Sequence, residues 1–138
     1  MKILATVLAI TLTLSVSLMS MDKKKKVTAT VVNVSSDSGK VSFALYNKET
    51  FMKTPLQSKN GKIVDGKSTV VFENLEAGDY AILCFHDKND NDKMDFQENG
   101  MPMEDYGASN NVMSFGPPQY SNSKFSVSKE DVALEIKF

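Results

Sequence analysis

The chain has 138 residues, 41% of them hydrophobic and 24% charged, with a formal net charge of −1. That is about one domain with enough apolar residues for a single core, and the charge gives no case for nucleic-acid binding. Cys84 is the only cysteine, so no internal disulfide can form, and no Gly-rich phosphate loop is present.

The first element is the uncharged, mostly apolar run Ile3–Met21 behind Lys2. It reads as a secretory signal peptide with cleavage near Ser20. An uncleaved anchor is the alternative, because the run is about as long as a minimal spanning helix and Lys23–Lys26 follow it directly. No cysteine closes the run, so a lipid-attached form is not expected. The expected organisation is a signal segment over 1–21, a basic linker over 22–26 and one β domain over 27–138, in a protein that is periplasmic or secreted.

The remainder reads as short strands. Val27–Val34 is rich in β-branched residues, and Ser35–Gly39 punctuates it as a turn. Val41–Tyr46 alternates, with Val41, Phe43 and Leu45 on one face. Asn60–Gly61 and Asp65–Gly66 are hairpin signals on either side of Lys62–Val64. Thr69–Phe72 is a further strand, and Asn74–Tyr80 turns into Ala81–His86, which is apolar on both faces as a central strand would be. Lys124–Val127 and Val132–Phe138 supply the last strands. No segment of this region holds a 3.6-residue apolar period. The pattern predicts an all-β fold, an antiparallel β-sandwich of about seven strands behind an N-terminal signal helix. A membrane barrel is disfavoured, since its strands run to about 9–11 residues.

The stretch Asp87–Glu98, DKNDNDKMDFQE, carries the most specific chemistry. Asp87, Asn89, Asn91, Asp95 and Glu98 fall at offsets 1, 3, 5, 9 and 12, and Lys93 at offset 7 offers its backbone carbonyl. Calcium takes about 6–8 oxygen ligands, and a 12-residue loop of the EF-hand type supplies them at this spacing. Five acids against two lysines also leave three net negative charges on twelve residues, whose repulsion a divalent cation would relieve. One position departs from the pattern: Asp92 stands at offset 6, where Gly makes the sharp turn. Asp tolerates the left-handed conformation at a cost of roughly 1–2 kcal/mol. The alternative is a hydrophilic hairpin loop, because Asn and Asp favour turns without any ion. Outside the cytoplasm a weak site, with Kd on the order of 10⁻⁴–10⁻³ M, would suffice.

Other groups raise weaker possibilities. Asn99–Tyr120 is long and irregular, either a functional segment or a crossover loop or edge strand that packs Met101, Met103, Tyr106 and Phe115 over one end of the sandwich. Cys84 and His86 share a strand face and could start a zinc or copper site, or be a packed thiol and a strand-end imidazole. Met94, Met101, Met103 and Met113 invite a copper(I) carrier, although methionine more often fills gaps in a core. A small hydrolase or small-molecule carrier would need a pocket converging on His86, Asp87 and Tyr106. Tyr106–Asn111 (YGASNN) either lines such a pocket or forms an Asx-type turn.

Three resemblances attach to these residues. LEAGDYAI at Leu75–Ile82 resembles the L-x-x-G-x-Y strand signature of prealbumin-like and carboxypeptidase-regulatory-like sandwiches, which implies fold more than function. FHDKNDNDKMDFQENGMP at Phe85–Pro102 resembles the calcium loop of B-type repeats in Gram-positive surface adhesins, in which an EF-hand-like loop is grafted onto a β-sandwich. VSFALYNKETFM, VVFENLEAGDYAILCFHDKNDNDKMD, GMPMEDYGASNN and FGPPQY, in that order, resemble the bacterial exported family catalogued as domain of unknown function 2141. That family usually carries a Gly-containing N-G-N-G-K-type loop where this chain has Asn89–Lys93. The resemblance implies a small exported sandwich and supplies no catalytic residues. The expectation is therefore a non-enzymatic Ig-like or prealbumin-like module with a structural calcium loop, presenting a surface to a protein or glycan partner.

Overall fold

The computed structural model describes residues 23–112 and 115–138; the expected signal segment and Met113 lie outside them. Among these residues nine strands run in order: β1 Lys25–Val31, β2 Lys40–Tyr46, β3 Gln57–Gly61, β4 Ile63–Val64, β5 Lys67–Leu75, β6 Gly78–Asp87, β7 Tyr106–Ala108, β8 Phe125–Val127 and β9 Val132–Ile136. A 3-10 turn, Ser109–Asn111, and one helical turn, Tyr120–Ser123, lie between β7 and β8.

Two sheets face each other. One has the order β4-β5-β1-β9, and the other β3-β2-β6-β7 with β8 also paired to β6. Alternation places Val27, Ala29, Val31, Val70, Phe72 and Ile136 of the first sheet against Val41, Phe43, Leu45, Ile82, Cys84 and Val127 of the second, all buried. Burying the apolar faces of the two sheets against each other holds the domain. These are open sheets with edges, so the barrel alternative does not describe the chain.

The sequence expectation is corrected in three places. Every pair is antiparallel except β1 with β9, which run parallel from Val27↔Val132 to Val31↔Ile136. The chain leaves β8 in the second sheet and crosses to the free edge of β1 in the first, and that crossing sets the direction. β3 (QSKNG) was not foreseen, and β7 (YGA) is the edge strand allowed within Asn99–Tyr120; neither carries apolar alternation, and both form because β2 and β6 offer them unpaired edges. Asn60–Gly61 is not a hairpin turn. It ends β3 at the corner where the chain changes sheets, and a Cβ on Gly61 would meet Ser68 Oγ at 2.2 Å. Asp65–Gly66 does make the β4–β5 hairpin, with φ of 52° and 72°. β1 begins at Lys25, inside the basic stretch.

Candidate cation-binding loop

β6 is the longest strand, and its pairing with β2 decides the site. The register sets Lys40 opposite Asp87 at the end of the ladder. The chain then leaves the sheet through residues 88–105 and returns as β7 beside the same strand.

Gly39 lets the β1–β2 turn close onto this end of β6. It has φ of +71°, and a Cβ there would fall 2.0 Å from the Asp87 carbonyl oxygen. The contact seats His86 as well. The ring is fully buried with Nε2 2.7 Å from the Ser38 carbonyl, and the backbone N–H donates to the Asp105 carbonyl at 2.8 Å. A carbonyl only accepts, so Nε2 carries the hydrogen.

Two buried acids shape the loop. Asp87, fully buried, accepts the backbone N–H groups of Asn91 at 3.1 Å and Asp92 at 2.9 Å. Glu104, also buried, accepts those of Lys88 at 3.1 Å and Asp95 at 3.2 Å. Buried carboxylates need such partners. Asp87 holds the middle of the loop, and Glu104 holds both its ends. Asp92 takes φ of 64°, the left-handed conformation that the glycine position requires, and Asp90 takes 56°.

Inside this frame the side chains form two groups. In the first, the carboxylates of Asp87, Asp90 and Asp92 approach within 4.8 Å of one another, and the Lys40 ammonium sits among them. It is 2.6 Å from Asp90 Oδ1 and 3.8 Å from Asp87 Oδ2, and it also bonds Asp92. The hydrogen bonds to Asp90 and Asp92 hold the Lys40 pKa well above the ordinary lysine value. In the second group, Asp95 accepts the side-chain amides of Asn89 at 2.8 Å and Asn91 at 2.9 Å, while Asn91 Oδ1 accepts the N–H of Lys93 at 3.2 Å.

Four of the six sequence-assigned ligands, Asp87, Asn89, Asn91 and Asp95, are thus linked by hydrogen bonds, and Lys93 lies in the same bend. Glu98 stands apart. Met103 N–H donates to the Asp95 carbonyl and Gln97 N–H to that of Met101, so residues 95–103 fold as a small hairpin with Glu98 exposed at its tip. The acid that returns to the loop is Glu104. Neither Glu104 nor Lys40 was found from sequence. Lys40 is visible only once the β2–β6 register is known, and Glu104 only once the 95–103 hairpin has closed.

The other candidate residues divide between the core and the surface. A site converging on His86, Asp87 and Tyr106 does not exist among the described residues, since His86 faces the core and Tyr106 the solvent side of the sheet. Cys84 is buried with its Sγ 3.6 Å from the Gly107 carbonyl, and burial pushes its thiol pKa far up. Met101 and Met103 are exposed and do not pack over the core. Ser109–Asn111 is a structural clamp. Ser109 Oγ accepts the Ile82 N–H and donates to the Ser123 carbonyl. Asn110 donates to the carbonyls of Asn122 and Lys124. Asn111 donates to the Glu135 carbonyl at 2.9 Å and accepts the Lys137 N–H at 2.8 Å.

The molecule is an all-β sandwich with an acidic loop at one end of its central strand, in which Asp87, Asp90 and Asp92 form a group that could hold a metal ion. Residues 29–135 match the family described as "Uncharacterized protein conserved in bacteria (DUF2141)", and the chain belongs to that family. Comparison with curated proteins gave no match, and comparison with solved structures gave none either.

Proposed function

We propose that this protein is an exported, non-enzymatic β-sandwich module whose 87–95 loop takes up calcium, and that the ion fixes the loop and the segment after it for a protein or glycan partner. The observation that carries this reading is the linked cluster of Asp87, Asn89, Asn91 and Asp95 around a loop with Asp92 left-handed. Asn amides turn over readily, so both asparagine oxygens can face a cation once one enters. The Lys93 carbonyl would complete the set. Lys40 already offsets one of the three charges of the neighbouring trio, which favours a weak site over a tight one.

Calcium titration by calorimetry tests this, with magnesium and copper(I) as controls. The expected result is calcium binding that is lost in Asp95→Ala, weakened in Glu104→Ala and unchanged in Glu98→Ala. No heat with calcium, or equal binding in Asp95→Ala, rejects the ligand set.

A further inference from the structure

The outer face of the five-stranded sheet is unlike that of an ordinary sandwich. There the outward positions of a strand meet water and are polar. Here Ala44 and Tyr46 of β2 and Leu83 and Phe85 of β6 are half-buried, because they floor a cavity of about 680 Å³. The apolar pattern on both faces of Ala81–His86 therefore has two causes: Ile82, Cys84 and His86 fill the core, and Leu83 and Phe85 fill this floor.

The walls come from three separate segments. Met94 with Phe96 and Met101 of the 95–103 hairpin form one, Met52 and Pro55 of the β2–β3 connection a second, and Gly116–Pro118 a third. Phe96, Met101 and Met52 are each more than half exposed, so the apolar wall is open to incoming molecules. Methionine's unbranched thioether adapts to irregular shapes, as walls for flexible chains require. Small-molecule sites run to about 300–1,000 Å³ with apolar linings, and this cavity falls in that range.

Its charge narrows the occupant. Among the described residues no lysine or arginine lines it, and the one lining carboxylate, Asp92, is already held by Lys40. An anionic headgroup would find no partner inside, and a cation would compete with Lys40. The polar groups present are neutral: Ser42, Ser58 and Asn60 on the strands. We propose that the cavity between the outer face of this sheet and the 95–103 hairpin binds a neutral molecule with an aliphatic chain, laid along Leu83 and Phe85. This proposal needs no calcium, and it stands or falls apart from the loop reading.

The test is fluorescence titration of the full chain with the neutral probe N-phenyl-1-naphthylamine, followed by competition with 1-dodecanol and with dodecanoate. Saturable enhancement is expected, displaced by dodecanol at several-fold lower concentration than by dodecanoate. Ala44→Trp, which fills the floor from an outward position, should weaken probe binding at least tenfold while the melting temperature holds. Met101→Gln, on the exposed wall, should weaken it several-fold and cannot disturb the core. Binding that is equal in the parent and both variants overturns the proposal, because the probe then sits elsewhere. So does absence of displacement by dodecanol together with concentration-dependent self-association, which makes the face a protein-docking surface.

Discussion

Asp87→Ala separates the two roles that the loop assigns to this residue. Asp87 is fully buried and accepts two backbone N–H groups, at 3.1 and 2.9 Å. Hydrogen bonds to a charged acceptor are worth about 1.5–3 kcal/mol each. The donors belong to exposed residues that water can resolvate, so the lower figure applies, and the pair contributes about 3 kcal/mol. For a domain of this size that lowers the melting temperature by roughly 10 °C. Asp87→Asn keeps an acceptor oxygen and should lose about half as much. Calorimetric melting in chelator measures this loss without any ion. Calcium at about 100 times its Kd should then stabilise the parent by about 2.7 kcal/mol and Asp87→Ala by nearly nothing. A melting temperature in chelator within about 2 °C of the parent would show that the carboxylate does not hold the loop. A full calcium shift in the variant would remove Asp87 from the ligand set.

Gly39→Ala puts a methyl into the Asp87 backbone at a positive φ, and should cost more than about 2 kcal/mol in denaturant titration. Asn111→Ala breaks two bonds that tie the 3-10 turn to the β9 strand, and should cost about 1–2 kcal/mol while hydrogen exchange rises at Lys137. Cys84 gives a pH test. Its folded thiol pKa is raised by burial while the unfolded thiol ionises near about 8.5. The unfolded state therefore binds fewer protons at high pH, and stability is complete below pH about 8.5 and falls above it by about 1.4 kcal/mol per pH unit. Cys84→Ala should remove that part of the slope, and the native thiol should resist alkylation at pH 8 until denaturant is added.

Most of the strands were legible because their signals are local. Val41, Phe43 and Leu45 alternate, and so do Val132, Leu134 and Ile136; in each case the period alone selects the face that turns inward. Asp65–Gly66 carries the two residues a tight hairpin needs. Within the acidic loop, Asp92 takes the left-handed conformation that its place in the turn requires. Glu98 was misplaced for a physical reason: a twelve-residue spacing assumes a continuous loop, and here the chain doubles back at Asp95–Met103 and delivers Glu104 instead.

The sequence by itself determined which residues prefer strands and turns, which faces are apolar, and where oxygen-bearing side chains crowd together. All of these depend on neighbours a few positions away. Only the tertiary structure decided that Lys40 stands opposite Asp87, that β9 lies parallel to β1, that Ser109–Asn111 binds three other elements, and that Leu83 and Phe85 floor a cavity. Those facts depend on register and on contacts between residues far apart in the chain. Such contacts are set by the packing of the two sheets as a whole, which no short window of sequence contains.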